Sequence, residues 1–304
     1  MSLLTVNHVK NLPKMEGGFI FNSPEFQSLK EGDHLNFVLL KDSSVIARIW
    51  FHIIDGTAIS GHHATFGSID FNATLNKENI NYFLTEVLNQ LVQRGIKEII
   101  IKHWPIIYCP GIDELLFQEL AFKQLENNIN QHLVVTPDTF DRRIKKNEKK
   151  KLAQSIKKDY KFNQLTITAL KEIYQLIEDT RGRKNYPVSM SYRGLYETVK
   201  RMQGQYLLFG LYDADRLIAA SVSIRTSDDI LYNFYHADDI NYRSTSPLVL
   251  LLAKIYEFCQ LNEINILDLG ISSEKGIINE GLFNFKRNLG CETSAKYIYR
   301  LINE

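Results

Sequence analysis

Strand and helix patterns occur twice in the same order along this chain of 304 residues. In each half, three strand patterns precede a helix, a strand, a second helix and a last strand. This order predicts a fold of the α/β class. Its sheet is expected to be mixed, with parallel and antiparallel strands as in α+β proteins, and to be flanked by helices. The two halves share little residue-level similarity, so the repeat is expected in structure more than in sequence.

Turn signals fix the strands of the first half. Asp42-Ser43-Ser44 and Asp55-Gly56 are hairpin turns on either side of Val45–Ile54, a run rich in Val, Ile, Trp and Phe. The third strand is predicted from Thr57 through Ile69. The other predicted elements are a helix over Glu78–Arg94, a strand over Glu98–Lys102, a helix over Asp113–Ala121 and a strand over His132–Thr136.

Alternation of residue types predicts an antiparallel sheet in the second half. In the strand Leu217–Arg225 we expect Ser221 and Ser223 to face outward and the apolar residues between them to face inward. The other predicted elements are helices over Ile167–Thr180, Ser191–Met202 and Leu248–Cys259 and strands over Tyr206–Tyr212, Ile230–His236, Asn265–Gly270 and Lys296–Leu301.

Composition limits the classes of protein to consider. Hydrophobic residues make up 44% of the chain and the net charge is +1, so the overall field favours neither nucleic acid nor a membrane surface. The three cysteines are widely spaced, which predicts free thiols in a reducing compartment. The start resembles no signal peptide, and no apolar run reaches the roughly 18 residues of a membrane span. We therefore expect a cytoplasmic protein.

Residues 141–161 form a strongly basic segment with ten Lys or Arg and three acidic residues. Ile144, Leu152, Ile156 and Tyr160 form one apolar stripe, which predicts an amphipathic helix with a basic face. That face is either a solvated surface between domains or a contact for phosphates of an acceptor, of coenzyme A or of tRNA. The adjacent His62 and His63 are expected on opposite faces of a strand end, which disfavours a metal site there.

The stretch Ile266–Gly290 combines a buried strand pattern with a glycine turn and a basic residue beside aromatics. Gly270, Ser272 and Ser273 follow the strand, and Phe285 and Lys286 follow the turn. An ordinary connection between a strand and a helix explains this pattern, and so does a site at the end of a sheet strand.

Asp268-Leu269-Gly270 and the block Gly281–Gly290 together resemble the closing motif of the Fem family of non-ribosomal aminoacyl transferases. The basic segment is also similar to the helix that joins the two halves in that family, although it is too short for the long arm of some members. The resemblance implies two tandem GNAT-like (acyl-CoA N-acyltransferase) domains. Their expected limits are residues 1–140 and 162–304, joined by a basic helix over 141–161.

The resemblance implies transfer of an acyl or aminoacyl group to an amine or hydroxyl of a small molecule or a cell-envelope precursor. Lys286 matches the family lysine that stabilises substrate and transition-state charge, with Phe285 as its packing neighbour. Asp268, Gly270, Ser272 and Ser273 are expected to orient the acceptor. Arg183 and Tyr186 lie in a cationic loop, which either binds an anionic acceptor or only ends a helix favourably.

The expected donor is acyl-CoA or aminoacyl-tRNA, and no metal is expected. In GNAT domains a glycine-rich loop before a helix binds pyrophosphate through its amides. Here the corresponding loop lacks glycine, and it contains a proline, which has no N–H to donate. Hydroxyls and a helix N-terminus therefore remain as the donor-binding groups. These residues are Arg243, Ser244, Thr245 and Ser246. Alternatives are an acyl-CoA-dependent N-acetyltransferase acting on an amino sugar or amino acid, and a GNAT-fold binding protein without activity.

Overall fold

The computed structural model describes residues 4–72, 75–109, 116–183 and 186–303. The chain divides into two compact units. Unit 1 contains Met1–Asn130, Ser273–Ile278 and Ser294–Glu304, and unit 2 contains Gln131–Ser272 and Asn279–Thr293. The last strand of the chain therefore belongs mainly to the first unit. The limits of the family domains given above stay a prediction.

Strands and helices alternate along the whole of the described chain. The strands are β1 Leu4–Val9, β2 Asp33–Lys41, β3 Ser44–Ile54, β4 Thr57–Ser60, β5 Asp70–Phe71, β6 Glu98–Lys102, β7 Lys123–Val134, β8 Lys161–Leu165, β9 Tyr206–Asp213, β10 Arg216–Ser227, β11 Ile230–Asp238, β12 Ile266–Ile271, β13 Ser273–Glu274, β14 Ile277–Ile278 and β15 Glu292–Ile302. The helices are α1 Pro24–Gln27, α2 Lys77–Gln93, α3 Leu116–Glu119, α4 Phe140–Arg143, α5 Lys146–Ile156, α6 Leu170–Gly182, α7 Tyr192–Arg201, α8 Pro247–Leu261 and α9 Glu280–Asn288.

Unit 1 is built on a mixed sheet. Strands β1 to β4 pair antiparallel in sequence order, β4 pairs parallel with β6, and β6 pairs antiparallel with β15. The apolar face of α2, including Phe83 and Val87, packs into the core beside Phe37 and Ile49. This helix carries its apolar residues at helical spacing, so one face covers the sheet while the other meets water.

Unit 2 repeats the plan with β8 to β11 antiparallel in sequence order and β12 parallel to β11. Helix α8 is apolar on most sides and contributes Leu251, Leu252 and Ile255 to the core. It begins at Pro247, whose fixed φ and missing N–H suit the first position of a helix. Across the described ranges, no helix has the length and apolar character needed to cross a bilayer.

Two predictions about the fold are wrong in detail, and a third cannot be compared along its whole length. The third strand ends at Ser60, because Gly61 lies so close to Gly67 that a Cβ on Gly61 would meet the Gly67 backbone nitrogen at 2.6 Å. The outward positions predicted for Ser221 and Ser223 are also wrong, since both side chains are fully buried. Of the helix predicted over Asp113–Ala121, the residues before Leu116 lie outside the described ranges.

The basic segment is two short helices rather than the single predicted one. Ile144 is extended with φ −84° and ψ 153°, and its side chain is buried in the core of unit 2. Lys145 then donates its backbone N–H to the carbonyl of Asn288 at 2.9 Å. Burying Ile144 thus breaks the helix between α4 and α5, and Lys161 starts a strand.

Candidate active site

The parallel pair β11–β12 separates at its carboxyl end in unit 2. The two strands pair over Ile230–Tyr232 and Ile266–Asp268, yet β11 continues to Asp238 and β12 to Ile271. We call this place the strand fork: the last pair, Tyr232 with Asp268, and the residues that follow it on both strands. Ligands of open α/β sheets bind beyond the carboxyl ends of strands, where such separations leave space.

Gly270 shapes the β12 side of the strand fork. Its φ is +77°, and a Cβ there would lie 3.1 Å from the Tyr232 ring, so both the backbone angle and the space favour glycine. The buried Asp268 accepts a hydrogen bond from the Gly270 N–H at 2.6 Å. Asp268 therefore holds this turn in place, and its predicted contact with an acceptor stays a prediction.

Lys286 lies in the last turn of α9 with its ammonium group inside the protein. The Nζ donates to the carbonyl oxygens of Gly270 at 2.8 Å and Ile271 at 3.0 Å, and the residue is only 2% exposed. Burial lowers the pKa of Lys286 to about 8, while the nearby Asp268 carboxylate opposes that shift. Two of the three N–H bonds are directed to carbonyls, so one further donor remains.

Helix α9 and the turn before it hold Lys286 in position. Asn279 caps the helix by accepting from the Leu282 N–H at 3.0 Å, and its own N–H donates to the Ser272 carbonyl at 2.9 Å. Phe285 packs against the core of unit 2. Phe285 thus anchors the helix that carries the lysine, and its role as the packing neighbour of Lys286 stays a prediction.

The two predicted serines of the turn have different surroundings. The buried Ser272 donates to Gln131 Oε1 at 2.5 Å, and Gln131 in turn donates to the Phe283 carbonyl at 3.2 Å. Ser273 belongs to unit 1, where its hydroxyl donates to Asn128 and accepts from the Ile129 N–H. Both hydroxyls have protein partners, so both contribute to the local structure.

The loop after α6 carries Arg183 and Tyr186, and the two residues between them lie outside the described ranges. Arg183 is exposed, and its guanidinium donates to Thr180 Oγ1 at 3.0 Å and to the Asp238 carbonyl at 3.1 Å. Tyr186 is half-exposed, and its hydroxyl accepts from the Asn279 amide at 3.1 Å. The loop is thus linked both to the end of β11 and to the cap of the lysine-bearing helix.

The predicted donor loop is a 3₁₀ turn over Ile240–Thr245 followed by Ser246 with φ 53°. Thr245 is engaged by the basic segment: Ser155 donates to its carbonyl, and Tyr160 lies 3.0 Å from its hydroxyl. Arg243 is exposed and lies 3.6 Å from Asp238, and Ser244 is exposed. Helix α5 therefore packs directly on this loop, a contact that the sequence did not indicate.

Four polar residues on β10 and β11 form hydrogen bonds inside the protein that were not predicted from the sequence. Ser221 and Ser223 on β10 form hydrogen bonds with each other, and Ser221 with Asn233 on β11, which in turn contacts His236. The alternating serines were visible in the sequence but indicated an outward face. Their burial depends on α8 covering that face, which no local pattern reveals.

Histidines of unit 1 form a cluster of their own. His62 and His63 lie in a turn with ring centroids 3.9 Å apart, so the prediction that they face opposite sides is wrong. His62 stacks on His52, whose Nδ1 lies 3.1 Å from His34 Nε2. Burial lowers the pKa of His62 to about 4. Within the described ranges, no group of three His, Cys, Asp or Glu side chains is arranged to hold a metal ion.

A family model matches much of the second half of the chain. Residues 140–287, just under half of the chain, match the acetyltransferase (GNAT) domain. The matched range includes the strand fork and Lys286, so the candidate site lies within the part of the chain that is similar to this domain. No curated protein matches the chain.

Solved structures show the same fold over nearly the whole chain. The crystal structure of FemX matches with a TM-score of 0.71 at 12% identity, covering 92% of this chain and 90% of that one. L-PGS from Bacillus licheniformis matches with a TM-score of 0.57 at 12% identity, covering 85% and 82%. A tandem GNAT protein from the clavulanic acid biosynthesis pathway matches with a TM-score of 0.50 at 10% identity, covering 89% and 83%. At such identities these similarities show the fold alone.

Proposed function

We propose that this tandem GNAT-fold acyltransferase binds its donor in the strand fork and transfers an acyl or aminoacyl group to an amine or hydroxyl. The acceptor is a small molecule or a cell-envelope precursor. The observation that carries the proposal is the buried Lys286 ammonium at the end of β12, inside the GNAT-matched range. The similarity of Gly281–Gly290 to the closing Fem motif supports the same assignment.

The proposed step forms one bond and breaks another. The acceptor nitrogen or oxygen attacks the donor carbonyl carbon, and the bond to the leaving group then breaks, a C–S bond in a thioester or a C–O bond in an aminoacyl ester. Negative charge develops on the carbonyl oxygen, where a fixed donor in water-poor surroundings lowers the barrier. The third N–H of Lys286 supplies that donor. We expect the acceptor proton to leave with the thiol or hydroxyl of the leaving group or to pass to water.

Donor phosphates would meet the surface formed by α5 and the donor loop. Arg243 is exposed beside Ser244, and α5 presents Lys146, Lys149 and Lys150 to solvent. The acid of this helix, Glu148, is buried and paired with Lys151 at 2.9 Å, so it does not neutralise the outer face. Either acyl-CoA or aminoacyl-tRNA suits such a surface, because both carry phosphates.

We assign acceptor binding to the side of the strand fork bounded by Arg183 and Tyr186. Their links to Asp238 and Asn279 join this loop to both β11 and α9. An exposed guanidinium beside a phenol suits a carboxylate or phosphate on the acceptor. We place the reaction in the cytoplasm, in keeping with the free thiols of Cys259 and Cys291.

A narrower acetyltransferase function is the second candidate. The matched family model is described as an acetyltransferase domain, which favours acetyl-CoA as donor and an amino sugar or amino acid as acceptor. A binding protein that keeps the fold without turnover is the non-enzymatic alternative.

Donor use decides between these functions. Purified protein is incubated with radiolabelled acetyl-CoA and, separately, with tRNA charged with a radiolabelled amino acid, each with a panel of amine acceptors. Transfer from charged tRNA supports the aminoacyl reaction, and transfer from acetyl-CoA alone supports the second candidate. Binding of a donor without transfer to any acceptor would leave only the binding protein.

A further inference from the structure

A buried histidine of unit 2 has no partner for either ring nitrogen. His132 lies in β7 and is 1% exposed, and neither Nδ1 nor Nε2 forms a hydrogen bond within the ranges that the structure describes. Burying an imidazole without hydrogen bonds costs stability, so such a group is kept where it binds a water molecule or takes part in chemistry. The proposed transfer needs a group that takes the proton of the acceptor.

Contacts on both sides of His132 place it beside β12. Val135 donates its N–H to the Asn265 carbonyl at 2.7 Å, just before β12 begins. The side chain of Gln131 accepts from the Ser272 hydroxyl, just after β12 ends. His132 lies between these two contacts, and β7 and β12 are neighbours in the sheet. The histidine therefore stands beside the strand whose end forms one side of the strand fork.

Side-chain alternation puts His132 on the same sheet face as the last pair of the strand fork. Strands β7, β11 and β12 each contribute leucines to the core that α8 covers, among them Leu133, Leu231 and Leu267. Successive side chains of a strand point to opposite faces, so the neighbours of these leucines point away from that core. We call three of those neighbours the polar row: His132, Tyr232 and Asp268.

Charged groups around the ring decide which of its two forms prevails. Burial lowers the pKa of His132 from its ordinary value of 6.5, while the carboxylates of Asp268 and Glu292 oppose that shift. Glu292 also lies 3.7 Å from the Arg143 guanidinium. The ring is therefore neutral at pH 7, and the two carboxylates stabilise the imidazolium once a proton arrives.

Two other buried groups near the end of β12 hold their protons at neutral pH. The pKa of Lys286 is lowered to about 8, and burial raises the pKa of Cys291 to about 12. The Cys291 N–H donates to the Lys286 carbonyl at 3.2 Å, so the two residues are neighbours. An ammonium and a thiol that are protonated at pH 7 take no proton from an acceptor, whereas a neutral imidazole does.

We infer that His132 is the general base of the transfer and takes the acceptor proton through one water molecule bound at its ring. The inference rests on the proposed function. As the acceptor nitrogen or oxygen bonds to the donor carbonyl carbon, the water accepts the acceptor proton and gives another to the unprotonated ring nitrogen. The imidazolium returns a proton by the same route to the sulfur or oxygen of the leaving group as its bond to carbon breaks.

The pH dependence of kcat tests the general base. Wild-type kcat with saturating donor and acceptor should rise with pH through a pKa below 6.5, as the imidazole loses its proton. His132→Gln cannot titrate, so we expect kcat at pH 7 to fall about 100-fold with KM for the donor little changed. The ratio of wild-type to variant kcat cancels any titration of the acceptor, and it should increase with pH and then level off.

A second buried histidine provides the matched control. His103 lies in unit 1 and is 2% exposed, and its Nδ1 lies 2.8 Å from Ser68 Oγ. His103→Gln should leave kcat and its pH dependence unchanged. An unchanged kcat in His132→Gln, or a ratio that does not vary with pH, would overturn the general base and leave the proposed function standing.

Urea unfolding tests whether the ring nitrogens of His132 are unpaired. His132→Phe keeps a ring but removes both nitrogens, so its urea midpoint should rise while its kcat falls as in His132→Gln. His103→Phe should lower the midpoint, because it leaves the buried Ser68 hydroxyl without this partner. A lower midpoint for His132→Phe would show that the nitrogens are bonded within the fold, and it would overturn the inference.

The two kinds of failure are distinguishable. If the wild-type protein transfers from neither acetyl-CoA nor charged tRNA, the proposed function fails and the general base fails with it. The urea comparison needs no substrate, so it still decides in that case whether His132 is unpaired.

Discussion

The Lys286 ammonium lies 2.8 Å from the carbonyl oxygen of Gly270, a glycine with φ +77°. This contact joins α9 to the end of β12 at the strand fork, inside a region where the lysine is 2% exposed. A charge so placed is costly to desolvate, and the two carbonyls compensate part of that cost. The same contact therefore stabilises the carboxyl end of β12 and holds a cation beside the proposed donor site.

Replacing the lysine should remove activity and also lower stability. Lys286→Met keeps the length of the side chain but lacks the N–H groups, so we expect kcat to fall by about 100-fold or more. Two buried carbonyls lose their donor, which should lower the free energy of unfolding by about 2 kcal/mol. Initial rates and urea unfolding at the same temperature measure both effects.

The neighbouring residue on the same helix provides the matched control for that substitution. Arg287 is exposed, and its guanidinium lies 5.9 Å from the Phe283 ring. Arg287→Met should change kcat and stability little, because it removes a surface charge without an unpaired buried group. Equal losses in both variants, or full activity in Lys286→Met, would contradict the role of the buried lysine.

The rate should depend on pH through the charge of Lys286. Its pKa is lowered to about 8 by burial, so the ammonium is present below pH 8 and is lost as the pH rises through that value. We expect kcat to decrease above about pH 8, measured with a saturating donor. Lys286→Arg keeps its charge at every accessible pH, and any activity that it retains should lack this decrease. An identical decrease in both proteins would assign it to another group.

The basic face of α5 should contribute a salt-dependent affinity for tRNA. Lys149 and Lys150 are exposed, whereas Lys151 is paired with the buried Glu148. The double variant Lys149→Glu, Lys150→Glu should reduce the slope of log affinity against log salt by roughly 2, since two phosphate contacts are lost. Fluorescence anisotropy between about 50 and 200 mM salt gives the slope.

Two lysines on other helices of unit 2 serve as the control for the tRNA measurement. Lys171 on α6 and Lys200 on α7 are both exposed. Their replacement by glutamate changes the net charge equally, so it separates a local contact from a general field effect. If the slope is the same for both double variants, the basic face of α5 is only a solvated surface and does not contact tRNA.

Unit 1 should lose stability in mild acid because of a buried histidine. His103 is buried, its Nδ1 lies 2.8 Å from Ser68 Oγ, and burial lowers its pKa to about 3. The unfolded chain, with an ordinary pKa near 6.5, then binds the proton first, so the stability contribution is complete above pH 6.5 and is lost as the pH falls toward 3. We expect a loss of about 3 kcal/mol between pH 6.5 and 4 from this residue.

Comparison with a variant that lacks only His103 isolates that contribution. His103→Gln keeps a polar side chain but cannot titrate, so its stability should fall less over the same pH range. The half-exposed His34, His52 and His62 have lowered pKa values of the same sign and remain in both proteins. Parallel curves of unfolding free energy against pH would show that His103 does not titrate as expected.

Periodicity in the sequence was enough to predict most elements of both units. The strand predicted over Ile230–His236 is observed over Ile230–Asp238, and the helix predicted over Leu248–Cys259 is observed over Pro247–Leu261. Both patterns report burial directly, since one is rich in β-branched and aromatic residues and the other is apolar on most sides. The GNAT family-model match over residues 140–287 and the structural similarity to FemX confirm the predicted GNAT-like fold.

The parts that sequence missed depend on contacts between distant residues. Nothing local shows that Phe234 is an extra residue in β11, and without that bulge Asn233 and His236 would not share a face. Nor does the residue pattern of the basic segment show that Ile144 interrupts the helix and packs into the core. The motif located Lys286, but only the structure shows that its ammonium is bound to two carbonyls.

Amide chemical shifts during titration with acetyl-CoA test most directly whether the strand fork of unit 2 is the donor site, with charged tRNA as a parallel titration. The account predicts shifts at Gly270 and Ile271 on β12 and at residues 233–236 on β11, at a donor concentration that supports transfer. Shifts confined to unit 1, or unchanged spectra at the strand fork with a donor that is being consumed, would contradict it.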